Sequence, residues 1–477
     1  MAHPFRVPRG AAALTAAALA LSFIPTAVAA SDPEVDAIRE ELRALRQSYD
    51  ARLKALEERL KDAEARAAAP PAAVAAPAPP AAPAVAESPA PPAPASAGGS
   101  SGIAAFNPAI SAVLQGTYAH LSQDPNQYRL SGFLLDADVS PGRRGLNLGE
   151  SEVALSANVD DKFAGNLIVS LTPQNTVEVE EAYGIVTALP YGLTPKFGRF
   201  FSGIGYLNEQ HQHAWDFVDA PLAYNAFLGG QYDNDGLQLK WIAPTDQYLE
   251  LGAEIGNGDN FPGTDRNTNA VNAAIAYAHT GGDIGDSHSW RAGVSYLHTR
   301  AQDRDSTVTD AFARSVDTGF SGTSDVAMAD FVWKYAPHGN AQETNFKLQG
   351  EYIWRREHGD LTYDRDDTLG LMQTAAYRSS QNGWYLQGVW QFMPYWRVGA
   401  RYDRLDPGSP DYGANGGYLD APVFHPERYT LMVDWTPSEF SRLRLQVAQS
   451  RNQAGVTDHQ LFVQYILTLG AHGAHKF

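Results

Sequence analysis

The 477-residue chain has no cysteine. That excludes a disulfide framework and any thiolate metal site. Positive charge is also scarce: 36 Lys and Arg stand against 54 Asp and Glu, a formal net charge of -18. The basic patch that a nucleic-acid partner requires is therefore missing. Beyond residue 30 no apolar run approaches the roughly 18 residues of a spanning helix. Neither an H-E-x-x-H pair nor a phosphate-cradling Gly-Lys loop occurs, and the chain reads as a non-enzyme.

Aromatic residues are plentiful, at 11%, and they sit among short, Gly-containing alternating segments. Many rings without a helical span suit an outer-membrane β-barrel, whose strands show lipid only every second residue. The N-terminal fifth is different. Residues 1–30 carry Arg6 and Arg9, the apolar run Ala11 to Ile24, and small residues ending at Ala29-Ala30. This is a secretory signal, with a short membrane anchor as the alternative. Over 31–68, Val35, Ile38, Leu42, Leu45, Tyr49, Leu53, Leu56 and Leu60 recur by threes and fours. So narrow a seam cannot be buried by one helix, and it predicts a periplasmic coiled coil and hence an oligomer of a number the seam does not fix, with a lone solvated helix as the alternative. For the barrel and coiled coil together a homotrimer is expected. Residues 69–102, rich in Ala and Pro, predict an extended spacer with a reach on the order of 100 Å.

From 103 to 477 the pattern predicts sixteen strands, near 110–121, 146–160, 162–172, 176–188, 193–201, 236–242, 248–257, 270–280, 287–299, 325–335, 346–356, 384–392, 396–404, 428–436, 441–451 and 458–469. Connections after even strands are mostly short and most of those after odd strands are long, the asymmetry of an outer-membrane barrel in a Gram-negative bacterium. An even count places both ends of the barrel in the periplasm. Trp396, Val398, Ala400 and Tyr402 alternate with Arg397, Gly399, Arg401 and Asp403, one face for outer-membrane lipid and one for a water-filled lumen. The terminal Phe477 resembles the signal read by the barrel-assembly machinery.

The connection 202–235 is too long and too aromatic for a hairpin turn, and it predicts a loop folded into the barrel. It carries Glu209, His211, His213, Asp216, Asp219, Asp233 and Asp235 but no Lys or Arg. With Arg397, Arg401, Arg442 and Arg444 on the facing wall, these residues predict a constriction that prefers cations. On an extended segment Glu209, His211 and His213 share a face, a set suited to transient Zn²⁺ binding. The alternative is that they hydrogen-bond the loop to the wall. His472 and His475 form a second candidate pair for metal, or a solvated tail. No resident cofactor is expected.

Lys196-Phe197-Gly198-Arg199-Phe200-Phe201, running into this loop, resembles the strand before the constriction of the phosphate-selective porin superfamily. The stretch from Glu209 to Tyr232, with the ending Gly470 to Phe477, is similar to a porin-like family known as zinc-regulated outer-membrane receptors. The resemblance implies passive diffusion of small hydrophilic solutes. The alternatives are a divalent-metal uptake channel and a structural tether of the envelope.

Overall fold

The computed structural model describes residues 108–173, 176–420 and 423–470, all within one compact unit, Ala86–Phe477. The signal, the coiled coil at 31–68, the spacer at 69–102, His472, His475 and Phe477 lie outside the described residues.

Sixteen antiparallel strands form one closed ring: β1 (Ala109–Leu121), β2 (in two halves, Gly145–Leu148 and Ser151–Asn158), β3 (Phe163–Leu171), β4 (Val177–Val186), β5 (Leu193–Phe201), β6 (Asp233–Ile242), β7 (Tyr248–Gly256), β8 (Ala273–Ile284), β9 (His288–Thr309), β10 (Ser315–Tyr335), β11 (Asn345–Tyr363), β12 (Gln373–Met393), β13 (Trp396–Asp406), β14 (Glu427–Ser438), β15 (Ser441–Gln453) and β16 (Val456–Gly470). Both halves of β2 pair with β1, so they count as one strand. Every strand pairs with the next. The ring closes where β16 pairs with β1, from Ser111 opposite Gly470 to Leu121 opposite Gln460.

The barrel is apolar outside and polar inside. On β14, Tyr429, Leu431, Val433 and Trp435 are exposed, while Arg428, Thr430 and Asp434 between them are buried. A soluble barrel would place these sets the other way round, so the outer face is built for lipid. Trp435 stacks on Trp396 at 6.0 Å, and Tyr429 packs on Tyr402 at 4.7 Å. These ring pairs lie ~20 Å apart along the strand, close to the height of an apolar membrane band.

Two features differ from the sequence expectation. The stretches 300–324 and 357–383, expected as loops, are mostly strand: β9 and β10 run on to Thr309 and Ser315, β11 and β12 to Tyr363 and Gln373. These ribbons carry polar residues on both faces, which removes the alternation that marks a lipid-facing strand. The lumen is also not simply water-filled. Loops 122–144 and 202–232 both fold inward, and Leu130 and Phe133 of the first join Leu207, Trp215 and Phe227 of the second in an apolar core closed by Ile353 of β11. Side chains with neither lipid nor open water to face bury against one another.

Candidate functional site

The constriction loop leaves β5 at Phe201 and returns at β6. Its neck is pinched: the Ser202 N–H donates to the Tyr232 carbonyl at 3.1 Å, and Asn208 Nδ2 donates to both Ser202 O (2.9 Å) and Tyr232 O (2.7 Å). Between these points the loop crosses the lumen and gathers partners from distant strands. The Glu351 carboxylate on β11 accepts from the N–H groups of Tyr206 and Leu207, both at 3.1 Å, and from the hydroxyls of Tyr224 (2.9 Å) and Tyr385 (2.6 Å). Gly205 sits at φ +65°, where a Cβ would strike Glu351 Oε2; glycine allows both the turn and the approach. Helix α1 (Leu222–Leu228) follows, with the Leu222 N–H held by Asp403 Oδ1 at 2.9 Å.

The loop aspartates contact the arginines directly instead of facing them across an open pore. Asp216 pairs with Arg397 at 3.1 Å and with Lys347. Asp219 pairs with Arg401 at 2.9 Å and with Arg428, both of which also meet Asp403. Arg444 donates to Trp215 O at 2.7 Å, and Arg442 donates to the carbonyls of His213 and Trp215, each at 3.3 Å. Buried ion pairs of this kind fix position and are largely neutral. The transverse acid-against-base field expected from the sequence is therefore replaced by a clamp.

Burial works against the charge on Glu209, Asp216 and Asp219. Lys240 outweighs it for Glu209, Lys347 and Arg397 for Asp216, and Arg428 and Arg401 for Asp219, so all three lie below the usual carboxylate range. A depressed folded-state pKa adds stability that is complete above the ordinary value near about 4 and is lost as pH falls through the lowered one. The loop should thus stay docked from neutral pH to about 5 and loosen only in stronger acid. Protease cutting within 203–231, followed against pH, measures this; release already at mildly acidic pH would contradict it.

Near β2 and β4 the loop meets a different environment. His211 Nδ1 lies 3.1 Å from Glu180 Oε2 and 3.5 Å from Glu152 Oε2, and its Nε2 lies 3.2 Å from Glu181 Oε2. His213 Nδ1 is 2.8 Å from Glu152 Oε1, and the two imidazole rings stack at 5.8 Å. Glu150 shares a hydrogen bond with Glu180. Two β-bulges create the cluster. On β4 the pairing steps from Ile168–Glu181 to Val169–Val179, leaving Glu180 as the extra residue. Regular alternation would send Glu180 and Glu181 to opposite faces; the bulge turns both inward. On β2 the pairing with β1 steps from Leu148–Gly116 to Glu152–Val113, one extra residue again, and this brings Glu150 and Glu152 to the same place. Burial favours neutral His211, but its hydrogen bonds to Glu180 and Glu181 and the charge of Glu152 outweigh that and hold its pKa well above the usual imidazole range.

Three expected site residues lie elsewhere. Glu209 does not join the histidines; it pairs with Lys240 at 2.5 Å. The segment is not extended there: residues 205–209 form a turn, closed where the Gln210 N–H donates to Leu207 O at 3.0 Å, and this breaks the alternation between Glu209 and His211. Asp233 and Asp235 are in phase with the exposed Leu237 and Leu239 of β6, so they sit on the outer face and not in the constriction. Asp235 holds Arg199 through two bonds, 2.7 and 2.9 Å. The sequence reading missed Glu150, Glu152, Glu180 and Glu181. Their signal was present as Glu178-Val179-Glu180-Glu181, where two adjacent acids on a barrel strand break the alternation.

No family model matches the chain. An uncharacterized protein of Aquifex aeolicus (strain VF5) is 32% identical over 351 residues, 70% of this chain and 71% of that protein. Among solved structures, the chain is similar to OmpT, an outer membrane protein of Vibrio cholerae, in its trimer form (11% identity, TM-score 0.47, 76% of this chain and 99% of that one). It is also similar to an anion-selective porin from Comamonas acidovorans (10%, TM-score 0.45, 76% and 100%) and to OprB of Pseudomonas putida (13%, TM-score 0.40, 76% and 94%). The barrel described above stands on its own strand pairing.

Proposed function

We propose that this chain, which belongs to one family with the Aquifex aeolicus protein, is an outer-membrane porin that passes small hydrophilic solutes by diffusion through a constricted lumen. The observation that carries this reading is the inside-out barrel with the loop 202–232 folded across its interior. The apolar side of the loop is sealed, whereas His211, Glu209, Glu180, Lys240 and Lys347 keep partial access to solvent. The short turns face the periplasm, so the N-terminal region extends there, and assembly as a homotrimer and recognition of Phe477 by the barrel-assembly machinery accompany this reading.

Cations are preferred, and the preference comes from the wall. Asp216 and Asp219 are neutralised by their partners, but Glu152, Glu180 and Glu181 outnumber the two histidines beside them. Rings of carboxylates select cations in pores. A planar bilayer under a KCl gradient tests this. The reversal potential of the wild type should show cation preference, and Glu152→Gln/Glu180→Gln should move it toward the anion side. Anion preference in the wild type would overturn the charge reading, and the absence of any current would overturn the channel.

A further inference from the structure

We propose that His211, Glu152 and Glu180 form a site for one divalent cation of the Zn²⁺ class, which ties the constriction loop to β2 and β4. One ligand atom from each of these residues lies within 4.8 Å of the other two. In a tetrahedral zinc site with bonds near 2.0–2.1 Å, neighbouring ligand atoms stand about 3.4 Å apart. The distances from His211 Nδ1 to Glu180 Oε2 and Glu152 Oε2, 3.1 and 3.5 Å, fall on either side of that spacing.

Three further observations point the same way. First, both wall ligands reach the site through bulges, which are energetically unneeded in a plain barrel wall and recur where a strand must re-aim side chains. Second, the remaining groups suit an outer shell: His213 Nδ1 contacts the second oxygen of Glu152 at 2.8 Å, and Glu181 meets the other nitrogen of His211 at 3.2 Å. Carboxylates that orient a ligating imidazole from behind raise its basicity and fix its ring. Third, the site calls for positive charge. Among the described residues no Lys or Arg forms an ion pair with Glu150, Glu152, Glu180 or Glu181. A divalent ion would supply it. The donor set of one imidazole and two carboxylates with an open fourth position fits zinc-type ions; calcium takes six to eight oxygens.

The site is independent of the channel reading: a chain that binds the ion but carries no current keeps the site and loses only the pore. The test uses the full chain in detergent micelles with His472→Ala/His475→Ala, so that the tail contributes nothing. Calorimetry with Zn²⁺ should find one ion per chain with protons released on binding, and Co²⁺ should give the visible absorption of a tetrahedral site. Affinity should fall by about 10-fold or more in both Glu152→Gln and Glu180→Gln, which lie on different strands, and stay unchanged in Glu209→Gln. No binding up to millimolar Zn²⁺, or binding undiminished in either Gln variant of the ligands that folds to a heat-modifiable barrel, would overturn the proposal.

Discussion

Excising residues 203–231 and joining Ser202 to Tyr232 through a short turn should raise single-channel conductance several-fold. The two ends already meet at 3.1 Å across the neck, so the excision asks nothing new of β5 or β6, whose pairing runs from Leu193–Trp241 to Phe201–Asp233. The ring of strands is closed by backbone hydrogen bonds that do not involve the loop. What disappears is the apolar plug around Leu207, Trp215 and Phe227, together with the salt bridges that carry it. The inward arginines Arg397, Arg401, Arg428 and Arg444 would then line an open lumen, and selectivity should shift toward anions. Conductance equal to that of the intact chain would mean that ions do not pass this level of the barrel.

The second large effect is expected from Asp219→Ala. Asp219 receives Arg401 Nη2 at 2.9 Å and Gln446 Nε2 at 2.8 Å on one oxygen and Arg428 on the other. Removing it leaves two buried guanidinium groups sharing Asp403 alone. Breaking a buried pair from one side costs about 3–5 kcal/mol, most of it from the charge left behind. That cost falls on loop docking, since the barrel wall keeps its pairing. It corresponds to roughly a 10²- to 10⁴-fold rise in the undocked population. Single-channel records should show added open-state noise and larger sublevels, and protease should cut within 203–231 much faster. Asp219→Asn keeps the shape and loses the charge, so it should fall between the two. Unchanged noise and cutting in the alanine variant would place the docking energy elsewhere, with Glu351 and its four donors the next anchor to remove.

The strands were legible because lipid imposes a period of two: Trp396, Val398, Ala400 and Tyr402 stand outward as their spacing predicts, and all sixteen strands appear near their expected places. Where lipid stops, the signal stops, and β9 to β12 continue past the residues at which the alternation fades. The inward fold of loop 122–144 left no mark of that kind, because Leu130, Phe133, Leu134 and Leu135 follow no period. In the site, the two histidines were visible but their partners were not. Glu209 lies apart from the histidines because the turn at 205–209 and the bend at Gln210 cancel the extended spacing, and Asp233 and Asp235 lie outside because they follow the outward phase of β6. A bulge shifts the facing of every residue beyond it by one, so the grouping of Glu152 with Glu180 is a property of paired strands that neither segment encodes alone.

The seam between β1 and β16 joins opposite ends of the described chain. Until the last strand has been synthesised and delivered, β1 and every successive newest strand present unpaired backbone, a template for pairing with another molecule. Contacts so distant in sequence also form slowly. The interval before closure is therefore the period of greatest aggregation hazard for this chain, and a nascent molecule that lost β16 would persist as an open, sticky ribbon. Its half-life before degradation, more than its final stability, would decide how much of it accumulates.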